Sequence, residues 1–182
     1  IFDKYVSINK KLLKEADIFC KKNFKKKKIL GIHFRGTDQK IAPNHPIPPT
    51  MFEIKNLIDK KIKYQNYDKI FLLTEQQEYY DELKRTYGNL ICAYDFFRSD
   101  NVNDFSSNSR KNHRNKLGIE NLIEAITLSK CKEIIYCESN ISLFSIFYSN
   151  FKIKKFHLNK GVKSSNAILA FLNWHFLNYW PQ

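Results

Sequence analysis

Short apolar runs recur along this chain, and longer amphipathic stretches separate them. The runs predict β-strands over 29–34, 69–74, 90–94, 133–137 and 153–158. The stretches predict helices over 7–24, 50–63, 76–87, 117–130, 141–149 and 166–178. Strands joined by helices run parallel, and strands that are apolar throughout are covered on both faces. The pattern therefore predicts an α/β, Rossmann-like fold, with a parallel sheet and helices on both of its faces.

Local sequence signals support the predicted bounds of two of these helices. Thr50 and Glu53 have the spacing of a capping box at the start of a helix. Gly88 follows the predicted helix 76–87, where a glycine commonly ends a helix. There is no internal repeat and no linker, so we interpret residues 1–182 as a single domain.

Composition excludes several classes of protein. A hydrophobic fraction of 43% excludes a disordered chain despite a net charge of +13. The scattered glycines build neither a dinucleotide fingerprint nor a P-loop. There is no D-x-D motif, so the simplest carboxylate cage for a metal-bound nucleotide is absent. The cysteines form no C-x-x-C pair, so we expect buried, reduced thiols in a cytoplasmic protein. They are Cys20, Cys92, Cys131 and Cys137.

The basic charge is ambiguous. The run Lys25–Lys28 is most simply a solvated surface. The alternative is attraction to nucleotide phosphates, anionic lipid or nucleic acid. No nucleic-acid recognition motif is present, so we expect no nucleic-acid partner, while peripheral contact with the inner face of a membrane stays open.

The end of the first predicted strand carries the most informative motif. Ligands of parallel α/β sheets bind beyond the carboxyl ends of the strands, and here that end reads His33-Phe34-Arg35-Gly36-Thr37-Asp38. The planar fork of Arg35 can hold two phosphate oxygens. Gly36 allows close approach of the backbone, and Thr37 offers a hydroxyl. Asp38 can orient Arg35, and the alternative is an Arg35–Asp38 pair that only stabilises the loop.

This motif resembles the H-x-R-x-x-D motif of the α1,2-, α1,6- and protein O-fucosyltransferases. It looks closest to the α1,6 and bacterial nodulation enzymes. Further segments resemble that family in the same order, over about residues 29–150. They are His45-Pro46-Ile47, Leu73-Thr74-Glu75-Gln76, Arg114, the helix with Ile123-Glu124-Ala125 and Leu128-Ser129, and Cys137-Glu138-Ser139-Asn140.

The resemblance implies a glycosyltransferase of the GT-B fold, which has two Rossmann-like halves. Its carboxyl-terminal half binds GDP-fucose without a metal, and fucose is transferred to a glycan acceptor with inversion. The chain would be that donor-binding half, and the amino-terminal acceptor domain would be absent from it. Fucose and a related GDP-sugar are not distinguished.

The family's donor contacts carry over to particular residues. Arg35 would contact the β-phosphate, and His33 would lie against the pyrophosphate. Glu124 would read guanine, and Ser139 or Asn140 would bind phosphate or nucleotide. The remaining residues expected in the donor site are Gly36, Thr37, Thr74, Glu75, Arg114 and Ser142.

Three departures from the family concern carboxylates. Glu124 stands where the family has Asp, and Glu75-Gln76 replaces an acidic pair. The family's glutamate base is missing, since Gln39 to Met51 contains no carboxylate. We expect His45 to substitute as the base, because histidine titrates near neutrality. Asp38 or a group from the absent domain is the alternative, and His45 as an ordinary loop residue stays open.

The closing segment is rich in aromatic residues, namely Phe171, Trp174, Phe176, Tyr179 and Trp180. We expect it to pack on the sheet as core. The alternative is that it partly docks the absent half or a membrane surface.

Two further functions stay open. One is a non-catalytic basic binding module. The other is an inactive relative that keeps GDP binding without transfer, which the missing carboxylates favour.

Overall fold

The structure, a computed structural model, describes residues 2–101, 103–106 and 109–179. Of these, the side chains of Phe2, Asp3, Asp38, Ser106, Asn178 and Tyr179 are not described. The strands are β1 (Ile29–His33), β2 (Lys69–Leu73), β3 (Ile91–Cys92), β4 (Glu133–Tyr136) and β5 (Lys154–His157). The helices are α1 (Phe2–Tyr5), α2 (Lys10–Asn23), α3 (Thr37–Ile41), α4 (Met51–Gln65), α5 (Gln77–Tyr87), α6 (Asn103–Ser106), α7 (His113–Leu128), α8 (Asn140–Tyr148) and α9 (Ala167–Tyr179).

The strands form one parallel sheet in the order β3-β2-β1-β4-β5. β1 lies at the centre, with Gly31 in register with Phe71 of β2 and with Ile134 of β4. The chain winds outward from β1 in one direction through β2 and β3, and in the other through β4 and β5. The strand order therefore reverses between β1 and β4, which is where such sheets open a crevice for ligands.

Side chains alternate between the two faces of the sheet, and each face has its own apolar core. One core joins Ile29, Phe71 and Ile134 to helices α2, α7 and α8. The other joins Leu30, Ile70, Leu72 and Ile135 to helices α4 and α5. The predicted α/β fold, with a parallel sheet covered on both faces, is confirmed.

Most predicted limits agree with the structure to within about three residues. The Thr50–Glu53 capping box is present, since Thr50 N–H donates to Glu53 Oε2 at 2.7 Å and Glu53 N–H to Thr50 Oγ1 at 3.3 Å. Three short helices, α1, α3 and α6, lie outside the predicted helices. The third strand is limited to Ile91–Cys92, because residues 88–90 form a 3₁₀ turn before it. Helix α7 begins at His113 rather than 117.

The prediction that the aromatic carboxyl-terminal segment packs as core is largely wrong. Ala170 and Trp174 are buried, but Ile168, Phe171 and Phe176 are 70%, 46% and 66% exposed. Helix α9 packs against the short helix α3. The buried residues are one helical turn apart, so only a narrow stripe is covered and the other apolar side chains face solvent. Trp180 and the side chain of Tyr179 lie outside the described residues.

The cysteines are free thiols, and Cys92, Cys131 and Cys137 are buried as predicted. Cys20 is only half-buried. Burial raises the pKa of Cys20 to about 11, so the thiol is protonated at neutral pH. Within the described residues, no helix has the length and apolar character needed to cross a bilayer.

Candidate functional site

The crevice between β1 and β4 brings together residues from distant parts of the chain. His33 ends β1, and Ser139 caps α8 just after β4; Ser139 Oγ lies 3.3 Å from His33 Nδ1. Burial, together with the charge of Arg35, lowers the pKa of His33 to about 3, so the ring is neutral. Its Nε2 is buried with no hydrogen-bond partner in the described part of the chain. The ring therefore keeps one polar atom unsatisfied at the edge where ligands of this fold bind.

The loop after β1 is held by two side chains that follow β2. Gly36 N–H donates to Glu75 Oε1 at 2.9 Å, and Thr37 N–H donates to Gln76 Oε1 at 3.1 Å. Thr37 Oγ1 also donates to Glu75 Oε1 at 3.2 Å. These bonds hold Thr37 at φ 36°, a left-handed conformation that β-branched residues rarely adopt. The loop is thus fixed in a strained conformation, as is common where a ligand must be met.

Glu75 also faces the arginine of the motif. Arg35 Nε lies 3.7 Å from Glu75 Oε1, and the two side chains are 29% and 21% exposed. Burial raises the pKa of Glu75, while the positive charge of Arg35 opposes that rise. Arg35 is therefore oriented at least in part by Glu75, and its guanidinium keeps access to solvent.

A cavity of about 530 Å³ opens over this edge of the sheet. Its volume lies within the range typical of small-molecule sites, about 300–1,000 Å³. The predicted site residues that line it are Arg35, Thr37, Thr74, Glu75, Arg114, Glu124 and Asn140. The lining residues that the sequence did not indicate as donor-site residues are Leu73, Phe96, Phe97, Phe105, Leu117, Glu120, Asn121 and Ile141.

Glu124 is the buried carboxyl group of this cavity. Its side chain projects from α7 and is 6% exposed. Burial raises the pKa of Glu124 to about 8; Arg98 opposes the rise, while Glu75 and Glu120 add to it. At neutral pH the free protein therefore holds mostly the protonated form, and a ligand that donates hydrogen bonds would favour the carboxylate.

An aromatic wall, formed by Phe96, Phe97 and Phe105, closes another side of the cavity. The Phe97 and Phe105 rings meet edge to face at 5.5 Å. The Arg110 guanidinium lies 5.0 Å from the Phe97 ring centre and binds Glu120 through two hydrogen bonds, at 2.7 and 2.5 Å. The wall is therefore attached to helix α7.

Arg98 holds the start of the same wall. It donates to the carbonyl oxygens of Tyr94 at 2.7 Å and Phe96 at 3.3 Å. Its guanidinium carbon lies 4.3 Å from the Tyr80 ring centre. The sequence feature that could have indicated this aromatic wall is the Phe96-Phe97 pair, which follows a predicted strand at the sheet edge where ligands bind.

The other predicted site residues lie around the cavity or away from it. Gly36 is buried in the loop, and Ser142 is buried under Ser139, where its Oγ donates to the Cys137 carbonyl at 3.1 Å. His45 is exposed and does not line the cavity; its carbonyl accepts from Lys163 N–H at 3.0 Å. The predicted role of Asp38 falls on a side chain outside the described residues.

Within the described ranges, no three His, Cys, Asp or Glu side chains are grouped so that they could hold a metal ion.

No protein-family model matches the chain, and no curated protein matches its sequence. Solved structures do match. One is the α-1,6-fucosyltransferase NodZ co-crystallised with GDP, with 17% identity and a TM-score of 0.56 over 82% of this chain and 44% of that one. Fucosyltransferase NodZ from Bradyrhizobium gives a TM-score of 0.55, with 17% identity over the same shares. The apo form of POFUT1 gives 11% identity and a TM-score of 0.58, over 85% of this chain and 48% of that one.

The fold and the crevice thus define an α/β Rossmann-like protein with a cavity at the topological switch point of its sheet. More specifically, the chain has a fucosyltransferase-like fold. It spans less than half the length of the proteins that it matches. NodZ has also been soaked with GDP-fucose, and POFUT1 has been crystallised with GDP.

Proposed function

We propose that this chain is the donor-binding part of a glycosyltransferase that uses GDP-fucose or a related GDP-sugar. The observation that carries the proposal is a single cavity at the switch point of the sheet. It combines the Arg35 guanidinium, the buried Glu124 carboxyl group and the aromatic wall. The guanidinium is complementary to a diphosphate, the carboxyl group to the hydrogen-bond donors of a base, and the aromatic wall to the flat face of that base.

The donor would lie with its diphosphate near the end of β1. Arg35 and Arg114 both line the cavity and supply positive charge. Asn140, which also lines it, is the first residue of α8, where the helix dipole favours anions. The neutral His33 ring lies beside this point and can donate a hydrogen bond from its unsatisfied nitrogen.

The base would lie between the aromatic wall and helix α7. As a carboxylate, Glu124 can accept from the N1–H and the exocyclic amine of guanine together. Uracil does not offer that pair of donors. The aromatic wall would stack on the base, an interaction worth about 1–3 kcal/mol per base. The departure from Asp to Glu moves the carboxyl group by one methylene.

The chemistry follows from where charge develops. As the sugar leaves, negative charge accumulates on the β-phosphate, and a fixed guanidinium stabilises it without a metal. Inversion at the sugar carbon then requires a base for the acceptor hydroxyl. His45, Asp38 or a group outside this chain would supply it. The exposed side chain of His45 would face the acceptor rather than the donor cavity.

We further propose that the glycan acceptor binds a second domain beyond these 182 residues. The matched fucosyltransferases are more than twice as long as the part that this chain covers. Helix α9 presents the apolar side chains of Ile168, Phe171 and Phe176 to solvent. A second domain that packs there would cover them and would lie near α3 and the Arg35 loop.

An inactive GDP-binding relative is the second candidate function. It is favoured by the absence of carboxylates from Gln39 to Met51. Both candidates require GDP binding, and only the first requires transfer.

The test is the thermal stability of the chain with GDP, GDP-fucose, GDP-mannose, UDP and ADP. A ligand at 100 times its dissociation constant adds about 2.7 kcal/mol, which raises the melting temperature by roughly 5–10 °C. We expect a shift with guanine nucleotides only, lost in Arg35→Lys. Arg85→Lys, at an exposed arginine of α5, is the matched control.

Each outcome decides a separate point. A shift that survives Arg35→Lys would contradict the assigned phosphate contact. Equal shifts with ADP and UDP would contradict guanine recognition. No shift with any nucleotide, in this chain and in the full-length protein, would refute the proposed function. Release of GDP from GDP-fucose by the full-length protein with a glycan acceptor would separate the transferase from the inactive relative.

A further inference from the structure

The opposite edge of the sheet, at the amino ends of the strands, is strongly basic. It is formed by the segments 24–28, 63–69, 129–133 and 149–155. Asp68 and Glu133 are the only acidic residues of these segments. Glu133 is fully buried, and Asp68 accepts a hydrogen bond from Lys28 N–H at 2.6 Å. The exposed lysines of this basic edge are Lys25, Lys26, Lys27, Lys63, Lys130, Lys132, Lys152, Lys154 and Lys155. Of these, Lys130 pairs with Asp17 of α2.

The sheet brings these lysines together. Lys132 N–H donates to the Ile29 carbonyl, and Lys154 N–H donates to the Lys132 carbonyl. Neighbouring strands lie about 4.8 Å apart, so the lysines just before β1 and β4 form one row with the lysines of β5. Such a row produces a continuous positive potential rather than separate charges.

Helix dipoles account for part of this charge. Helices α2, α4, α7 and α8 end at this edge, and lysines near helix carboxyl ends are favourable. The dipoles do not account for the exposed aromatic residues among the lysines. Phe151 is 62% exposed and Tyr64 is 71% exposed.

The backbone conformation of Phe151 destabilises the folded chain. Its φ is 58°, a left-handed conformation that is unfavourable for a bulky residue. Its ring contacts Phe147 at 6.1 Å, edge to face, and Lys155 Nζ lies 5.9 Å from its centre. The turn thus exposes most of an aromatic ring next to Lys152 and Lys155, with only partial burial to offset the strain.

We infer that the basic edge is a docking surface for an anionic lipid bilayer. Lysines supply the attraction to acidic headgroups, and exposed aromatic rings enter the interfacial layer. Nucleic acid fits less well, because the four segments contain no arginine for bidentate contacts with phosphates or bases. Bound in this way, the protein keeps the cavity at the opposite edge of the sheet open to solvent.

The experiment is sedimentation of the chain with vesicles. Vesicles of phosphatidylcholine mixed with phosphatidylglycerol are compared with phosphatidylcholine alone, at low and high salt. We expect binding to the anionic vesicles only, weakened by salt. Lys132→Gln, Lys152→Gln and Lys155→Gln together should weaken it about 100-fold, at about fivefold for each lysine. Lys154 is left unchanged because it also pairs with Glu133.

The matched control is Lys10→Gln, Lys11→Gln and Lys14→Gln. These exposed lysines of α2 lie at the other end of that helix and change the net charge equally. Phe151→Asn tests the aromatic contribution without loss of fold, because asparagine tolerates the left-handed conformation. We expect it to weaken vesicle binding about tenfold.

Several results would overturn the inference. They are equal binding to neutral vesicles, an equal loss in the α2 control, or no effect of Phe151→Asn. Binding that is lost in Phe176→Ser but kept in the triple variant would assign the contact to α9 instead. Tighter binding of a single-stranded RNA through the same lysines would assign the surface to nucleic acid. None of these results depends on whether the cavity binds GDP.

Discussion

The amide oxygen of Gln76 occupies the space that a side chain at position 36 would need. A Cβ added to Gly36 would lie 1.8 Å from Gln76 Oε1 and 3.0 Å from Tyr79 Cε2. Gln76 has little freedom to move away, because it is 3% exposed and the same oxygen accepts from Thr37 N–H. The strand end that carries Glu75 and Gln76 therefore requires a glycine in the loop that carries Arg35.

Gly36→Ala should destabilise the fold and disturb the proposed donor site together. The added methyl must displace Gln76, which leaves a buried N–H unsatisfied, and we expect a loss of about 1–3 kcal/mol. The shift in melting temperature with GDP should also fall, because Arg35 is one residue away. Urea denaturation and the GDP-dependent shift measure the two effects.

Gly118→Ala is the control for that substitution. A Cβ at Gly118 meets nothing within 4 Å, and the residue lies in helix α7. Alanine should therefore stabilise the chain by roughly 1 kcal/mol and leave GDP binding unchanged. Equal destabilisation by both substitutions would show that the contact with Gln76 is not the limiting feature.

The buried carboxyl group of Glu124 should give the free protein a characteristic pH dependence. Its pKa is raised from 4.5 to about 8. Between these values the folded state keeps a proton that the unfolded chain has released, so the contribution of Glu124 to stability falls as the pH rises from about 4.5 to about 8. The neutral His33 ring, whose pKa is lowered from 6.5 to about 3, opposes this fall up to about pH 6.5, so the fall is clearest between about pH 6.5 and 8. Glu124→Gln should flatten this slope in urea titrations, though Glu75 contributes a slope of the same sign. The exposed Glu15→Gln should leave it unchanged.

Nucleotide binding should depend on the protonation of the same carboxyl group, Glu124. Guanine presents N–H donors and favours the carboxylate, so its affinity should rise with pH towards about 8 and binding should release a proton. Calorimetry in two buffers of different ionisation enthalpy measures that proton. Adenine presents the acceptor N1 and would favour the protonated acid. Proton uptake on binding, or an affinity that falls with pH, would therefore contradict guanine recognition by Glu124.

Phe97→Ala should weaken the binding of the base and spare the binding of the phosphates. Loss of stacking on one base costs about 1–3 kcal/mol, or roughly 5- to 150-fold in affinity. The affinity for GDP should fall, while that for inorganic pyrophosphate should hold. Phe52→Ala, at an exposed phenylalanine of α4 outside the cavity, is the control. A parallel loss of both ligands in Phe97→Ala would mean that the ring supports the whole loop instead.

The features that the sequence predicts well are those set by neighbours in the chain. The capping box of Thr50 and Glu53 depends on a spacing of three residues, and the apolar strands depend on their own composition. The position of Arg35 at the sheet edge follows from the strand that precedes it. The parallel arrangement of the strands and the edge where ligands bind follow in turn from the alternation of strands and helices, whereas the order of the strands in the sheet does not.

The features that it missed depend on contacts between distant segments. Helix α3 is too short to be stable alone; Lys163 binds the carbonyl of its Gln39, and α9 packs against it. The approach of Ser139 to His33 joins segments that are about a hundred residues apart. The exposure of Phe171 and Phe176 depends on which face of α9 the rest of the molecule covers, and hydrophobicity alone does not reveal that.

Glu133, at the amino end of β4, should be more important for stability than for ligand binding. It is fully buried, Lys61 Nζ and Tyr67 OH donate to it, and Lys154 Nζ lies 3.7 Å away. Burial alone would raise its pKa, but the bonds from Lys61 and Tyr67 outweigh burial and lower it. The stability due to this group is thus present above about pH 4.5 and is lost as the pH falls below it.

Glu133→Gln leaves Lys61 buried without a counter-charge, and we expect a loss of about 3–5 kcal/mol. Replacing both partners, as Lys61→Met with Glu133→Leu, should recover most of it, because two apolar groups leave no buried charge. Urea denaturation measures both changes. The cluster lies at the edge opposite the cavity, so the double variant should bind GDP as the unmodified chain does. Loss of GDP binding in a stably folded double variant would show that the two edges of the sheet are coupled.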